Sequence, residues 1–253
     1  MPAPAAAWTE TFRVRAYETD PSASASVPSI CNYLQEAASN HANSLGVSVE
    51  QLTGQNLTWV LSRLHVEMDA YPQWRQTVRV ETWPSGENGL YATREFVIYD
   101  EADERVLGRG TSAWLLIDVA RRRPIRIPDF VTAIRLPERG RVLPDTFDRL
   151  PALPADAPHA RTIRVRYSDL DLNRHANNVC YVAWALETLP VSLLESHRLT
   201  SLEVHFRAET AEGDVVEARA ATVDAPELTF LHRLDRASDG REVAVARTRW
   251  VHA

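Results

Sequence analysis

The sequence predicts an α+β fold in which an antiparallel sheet wraps around one long helix, and it predicts that unit twice. Two observations carry this. The alternating run Thr11-Phe12-Arg13-Val14-Arg15 returns as Thr162-Ile163-Arg164-Val165-Arg166, and each copy leads through a tyrosine (Tyr17, Tyr167) and a polar loop into a helical pattern. After each helix come four strand-like stretches in succession, which is not the strand–helix alternation of a parallel sheet.

In the first half, Ile30, Tyr33, Leu34, Ala37, Ala38, His41 and Leu45 recur at helical spacing. Pro28 suits a first helical turn, and Gly46 suits a helix stop. Strands are expected near 58–71, 76–84, 90–100 and 105–118, punctuated by Asn88-Gly89 and Glu101-Ala102-Asp103. The stretch 128–160 carries Pro137, Pro144, Pro151, Pro154 and Pro158 and little periodicity, so it is expected to be a linker laid over the surface. In the second half, Val179, Val182, Ala183 and Leu186 form a shorter helical face, with Asn177 or Asn178 as N-cap and Pro190 as terminator. Strands follow near 199–209, 214–224, 227–236 and 241–252, with turns at Glu212-Gly213-Asp214 and Ser238-Asp239-Gly240. The expected organisation is therefore an N-terminal domain over 1–127, a linker over 128–160 and a C-terminal domain over 161–253.

With 253 residues and 45% hydrophobic content, the chain can bury a sizeable core. A net charge of −6 argues against nucleic acid as a partner. All 28 basic residues are arginine, which removes lysine as a Schiff base or general base. Cys31 and Cys180 form neither a disulfide framework nor a metal-binding spacing, and no metal or organic cofactor is implied. The start MPAPAAAWTE lacks the charged and apolar regions of a secretory signal, and no window approaches the roughly 20 apolar residues of a membrane span. A cytoplasmic location and no membrane partner are expected.

Chemistry concentrates between Tyr167 and Tyr181, where Asp169, Asp171, Asn173, His175, Asn177 and Asn178 crowd a strand-to-helix junction. Both flanks of such a loop are rigid, and the helix start offers free backbone N–H groups. Asp171, Asn173 and His175 alternate by two, so in an extended segment all three would point the same way. Asp and Asn also build ordinary turns and helix caps, so the cluster alone supports both interpretations. At the equivalent place the first half reads DPSASASV, without imidazole or carboxamide. Cys180 and Cys31 are expected to pack as small hydrophobes. His41 is expected to be a satisfied core histidine, and Tyr181 a packing residue with a tethered hydroxyl. His65 and His205 are expected on the polar faces of strands.

The runs NYLQEAASNHANSLG, LTWVLSRLHVEMDAYPQWRQTVRVETWP and SAWLLIDVARRRPIRIP in the first half, with YSDLDLNRHANNVCYVAWALE and LEVHFRAET in the second, resemble the acyl-carrier-protein thioesterases. The likeness extends over nearly the whole chain. A broader hot-dog thioesterase pattern, D-x-D-x-x-x-H-x-N-x-x-x-Y, is present as Asp169, Asp171, His175, Asn177 and Tyr181. The resemblance implies a double hot-dog fold and hydrolysis of the thioester between a fatty acyl chain and the phosphopantetheine arm of acyl carrier protein. It also implies that Asp171, Asn173, His175 and Glu209 are catalytic. The plant enzymes carry a Cys directly after that Glu; here the position is Thr210, which favours a carboxylate or imidazole acting directly or through water. Strict alternation along the strand places Glu209 with Glu203, His205 and Arg207 on a solvated face, unless a bulge near Ala208 or the strand's end re-aims it. The helix-start amides around Asn178 to Cys180 are the expected oxyanion donors.

Because only one half carries the cluster, the other is expected to house the acyl chain, with Tyr33, Leu34, Trp59, Leu61, Leu64, Trp83 and Trp114 as candidate lining residues. The basic run Arg121, Arg122, Arg123 and Arg126 is either the docking site for an acidic carrier protein or a solvated hairpin tip. A coenzyme A thioesterase of the same superfamily and a non-catalytic lipid-binding protein remain alternative readings. Each chain pairs its own two halves, so either a monomer or a homodimer is consistent with the sequence.

Overall fold

In the computed structural model, residues 6–223 and 225–253 are described. Met1–Ala5, part of the start expected to carry no secretory signal, and Asp224, the expected last residue of a strand, lie outside them. The chain divides into two compact units, Met1–Thr146 and Phe147–Ala253.

The first unit runs β1 (Trp8–Arg13), α1 (Val27–Ser44), α2 (Val49–Thr53), β2 (Leu57–Met68), β3 (Thr77–Glu87), β4 (Tyr91–Asp100), β5 (Val106–Asp118), β6 (Arg123–Ile125) and α3 (Asp129–Thr132). Its sheet is antiparallel in the order β1-β3-β4-β5-β2, with β6 added beside β5. The second unit runs β7 (His159–Arg164), α4 (Asn178–Leu186), α5 (Val191–Ser196), β8 (His197–Phe206), β9 (Val215–Val223), β10 (Leu228–Arg236) and β11 (Arg241–His252). Its antiparallel order β7-β9-β10-β11-β8 repeats the first unit's. Each helix therefore enters from a strand at one sheet edge and leaves into a strand at the other.

Local chemistry starts and stops α1. The Ser26 hydroxyl accepts from the Ser29 N–H, Pro28 occupies the first turn, and Gly46 follows the end at a φ of 78°. The buried stripe of α1 lies on the sheet: Phe12 stacks on Tyr33 at 4.6 Å, and a Cβ at Gly110 would sit 3.5 Å from Leu34 Cδ1. Burying each large side chain of this stripe contributes about 1.5–3 kcal/mol. In the second unit, Tyr181, Trp184 and Ala185 of α4 pack on Val216, Ala218, Leu234, Val243 and Ala244.

Three expectations are corrected, and a further point, taken second, concerns strand phase. First, Tyr17 and Tyr167 are not equivalent: the single-turn 3-10 helices begin at Ala16 and at Tyr167, so Tyr167 matches Ala16. Second, alternation alone sets Leu64 opposite Trp59 and Leu61. An irregularity at Ser62, between Leu61 and Arg63, shifts the phase and returns all three to the helix side. Third, Trp83 lies on the opposite face. Its cross-strand partner is Glu95, which pairs onward to Thr111 and His65, whereas the helix side carries Thr82, Arg94 and Ser112. Fourth, His65 and His205 are buried, at 8% and 0% exposure, as is Glu203. His65 Nδ1 lies 2.6 Å from Asp145 Oδ2, and Glu203 is held by Arg247 and His205, because buried polar groups require partners.

The linker stretch supplies the cover for the first unit's outer face. The Arg139 guanidinium lies over the Trp83 ring and pairs with Glu81, while Arg141 and the Val142 N–H bind Glu95.

Candidate active site

The turn between β7 and α4 is tight, not extended. The Asp171 N–H donates to His175 O at 2.9 Å, the Arg174 N–H donates to Asp171 O at 3.0 Å, and Arg174 takes a φ of 63°. The Asp171 carboxylate accepts from the Asn173 N–H at 2.8 Å. The first unit builds the same turn from Asp20: its N–H donates to Ser24 O, Ala23 donates back to Asp20 O at a φ of 63°, and its carboxylate accepts from the Ser22 N–H. An aspartate here is thus required by the turn itself, as Asx chemistry explains. Ser22 and Ser24 stand where the second unit has Asn173 and His175.

Asp169 also serves the scaffold. Burial disfavours its charge, but hydrogen bonds from the Arg166 backbone and guanidinium hold its carboxyl below the usual carboxylate range. The Asp169 carbonyl accepts from the Asn177 N–H at 2.9 Å. Asn177 caps α4, taking the Val179 N–H on its side chain and the Cys180 N–H on its carbonyl. The expected oxyanion donors are corrected accordingly: Val179 and Cys180 are engaged, and among the described residues the Asn178 N–H is left without a hydrogen bond. Burial, aided by the nearby Asp169 charge, pushes the Cys180 thiol up to about 11, and burial pushes Cys31 to about 12. Neither is a thiolate near neutrality.

Glu209 comes to the turn because β8 stops early. The strand ends at Phe206, and Arg207 and Ala208 both donate to Val243 O, at 2.9 and 3.2 Å. Two amides on one carbonyl break the alternation that would have kept Glu209 in phase with Glu203 and His205. Glu209 Oε2 then lies 3.4 Å from His175 Nδ1, with both side chains partly exposed. The Nδ1 edge faces a carboxylate, which leaves Nε2 for a reacting group. Asn173 is exposed, and its carboxamide makes no hydrogen bond among the described residues. His175 and Glu209 are thus side by side. Asp171 meets His175 through backbone, and its side chain serves the turn.

In the first unit, Leu34, Leu61 and Leu64 are buried on the helix side. Trp59 packs beside Leu52, Leu116 and Ile127 and donates its Nε1–H to Val47 O. Trp114 shares this face, opposite Leu61, and donates to Ser112 Oγ. Tyr33 is buried with its hydroxyl on Glu18. Trp83 is set apart on the other face. His41 is fully buried with Nδ1 3.0 Å from the Arg94 guanidinium. Arg121, Arg122, Arg123 and Arg126 are exposed around the β5–β6 hairpin, with Arg121 tied to Asp118.

A helix across one face of an antiparallel sheet, duplicated within one chain, with a His–carboxylate turn in one copy, defines the tandem hot-dog class. Residues 5–134 match the model of the acyl-ACP thioesterase N-terminal domain, and residues 154–252 that of the C-terminal domain. The chain is 32% identical to the chloroplastic palmitoyl-acyl carrier protein thioesterase of Gossypium hirsutum over 96% of its own length, and spans 63% of that protein. It is 32% identical to the oleoyl-acyl carrier protein thioesterase of Coriandrum sativum, covering 95% of this chain and 76% of the relative. The solved 12:0-ACP thioesterase of Umbellularia californica matches with a TM-score of 0.88 at 32% identity, over 98% of this chain and 94% of that one. A putative oleoyl thioesterase of Lactobacillus plantarum matches at 0.86 and 26% identity, over 99% of this chain and 98% of that one. The chain belongs to the acyl-ACP thioesterase family. Among the described residues, no helix is long and apolar enough to cross a membrane.

Sequence reasoning missed the Tyr181–Thr210 contact, in which the two hydroxyls meet at 2.9 Å. The signal was present in the adjacent FRAET run and the Tyr of the motif, but nothing in one dimension joins them.

Proposed function

We propose that this chain hydrolyses fatty acyl-acyl carrier protein to free fatty acid and holo-acyl carrier protein. The observation that carries it is the His175–Glu209 pair, found in the unit that holds the family's motif and replaced by Ser24 and Tyr71 in the other. Glu209 orients the imidazole through Nδ1, and Nε2 takes a proton from water. The resulting hydroxide attacks the thioester carbonyl. The Asn173 carboxamide and the Asn178 N–H stabilise the oxyanion. Collapse breaks the C–S bond, and the imidazolium returns the proton to the departing phosphopantetheine thiolate. Asp171 holds the turn that presents these groups and adds negative charge beside them.

In the same proposal, the N-terminal domain binds the acyl chain along its helix side, and the C-terminal domain is catalytic. Leu34, Trp59, Leu61, Leu64 and Trp114 share the helix side. Trp83, on the other face, is withdrawn from that group. Replacing Leu61 or Leu64 by Ala or Phe is expected to shift the chain lengths of the acids released; an unchanged profile removes the first unit from substrate selection. The exposed arginines at 121, 122, 123 and 126 offer a charged surface for carrier docking. We also place the protein in the cytoplasm, which cell fractionation checks. The deciding experiment compares turnover on acyl-carrier and acyl-coenzyme A thioesters of one chain length at rising salt. We expect faster turnover on the carrier substrate and a KM that rises with salt. Preference for the coenzyme A thioester makes the protein a coenzyme A thioesterase, and no acid from either makes it a binding protein.

A further inference from the structure

We infer that Tyr181 and Thr210 are positioning residues that hold Glu209 against His175; this rests on the catalytic pair proposed above. Glu209 sits in a short segment after β8 that has no strand pairing of its own. It is gripped on both sides. The Thr210 N–H donates to the Tyr181 hydroxyl at 2.9 Å, and the two side-chain oxygens are also 2.9 Å apart. The Tyr181 hydroxyl reaches back to Ala208 O at 3.4 Å. One phenol on α4 thus ties the residues before and after Glu209. Both anchors are inaccessible, at 3% exposure for Tyr181 and 1% for Thr210. The ring is wedged between Trp184 and Phe206, with centroids 5.1 and 6.0 Å away. Two further bonds close the frame: the Ala176 N–H donates to Thr210 O at 2.9 Å, and Arg236 donates to Glu209 O at 3.2 Å.

The first unit provides an internal control. Its rung from the Ala25 N–H to Pro72 O, at 2.8 Å, matches that from Ala176 to Thr210. Ile30 stands where α4 has Tyr181, and Pro72, with no N–H to give, stands in the place of Thr210. The backbone rung belongs to the fold, and the phenol clamp is confined to the unit that carries the His–Glu pair. A clamp needed only for folding would be expected in both.

The test uses the full chain and acyl-carrier substrate. Tyr181→Phe removes one oxygen and keeps the ring packing. It is expected to lower kcat about 10- to 100-fold with KM within about twofold, the scale on which small misplacements of reacting groups act. In a Glu209→Gln background the same change is expected to cost nothing further, because it acts through Glu209. Thr210→Val is expected to lose turnover and Thr210→Ser to restore it. These last two variants decide the matter should Tyr181→Phe fail to fold, as seen in its thermal transition. Normal kcat in Tyr181→Phe, or an equal loss in the Glu209→Gln background, overturns the inference and leaves the catalytic pair standing. Normal kcat in Glu209→Gln overturns both.

Discussion

Replacing His175 by Ala is expected to lower kcat at least about 10²-fold while the thermal transition stays within a few degrees of the parent. An imidazole can serve in turn as general base and general acid, which the carboxamides beside it cannot. It is partly exposed, so its loss opens no large cavity. Its backbone carbonyl, not its side chain, accepts the turn's hydrogen bond from Asp171, and Ala supplies that carbonyl equally well. Glu209→Gln is expected to cost less than His175→Ala, because an amide still bonds Nδ1–H but does not stabilise the imidazolium. Asp171→Ala is expected to behave differently, losing turnover together with order in the turn, since its carboxylate holds the Asn173 N–H. Single-turnover rates on acyl-carrier substrate read all three. A His175→Ala enzyme with near-parental kcat would end the imidazole's assigned role.

The second large effect concerns stability. Glu95 is fully buried on the face of the first unit's sheet away from α1. Its Oε1 accepts from Ser85 at 2.7 Å and Thr111 at 2.9 Å and lies 3.4 Å from Arg141 Nε, while Oε2 accepts from the Val142 N–H at 3.1 Å. Glu95→Ala removes one carboxylate and takes away at once the acceptor of the Ser85 and Thr111 hydroxyls, the acceptor of the Val142 N–H and the countercharge of Arg141, which keeps its bonds to Asp145 O and Thr111 Oγ1. Breaking a buried charged network from one side costs about 3–5 kcal/mol. Such a loss lowers the melting temperature by roughly 6–20 °C for a chain of this size. The stretch around Arg141 to Asp145 should then leave the sheet, detected as faster amide exchange at Val142. A melting shift under about 2 °C would show that the network contributes little.

These two sites were not equally legible. The His175 turn stands out in the sequence because its side chains crowd a junction between two periodic patterns. Glu95 reads as one of two adjacent charged residues in a strand, Arg94-Glu95-Phe96-Val97, with nothing to mark it as a latch. Its partners lie in other strands and in the proline-rich stretch, and only folding brings them together. The expectation of convergence by alternation in Asp171, Asn173 and His175 failed for a similar reason. The chain there closes a turn on its own backbone, so Asp171 spends its carboxylate on Asn173, as Asp20 does on Ser22.

The sequence by itself determined the repeated unit, the strand and helix order, and the turn that carries the chemistry. These rest on periods of about two and 3.6 residues and on caps, which near neighbours enforce. The tertiary structure decided which side chains meet. The phase shift at Ser62 gathers Leu61 and Leu64 on one face, and the sharing of Val243 O by two amides turns Glu209 toward His175. Bulges and strand ends depend on what a neighbouring strand offers for hydrogen bonding, and that neighbour lies far away in the chain.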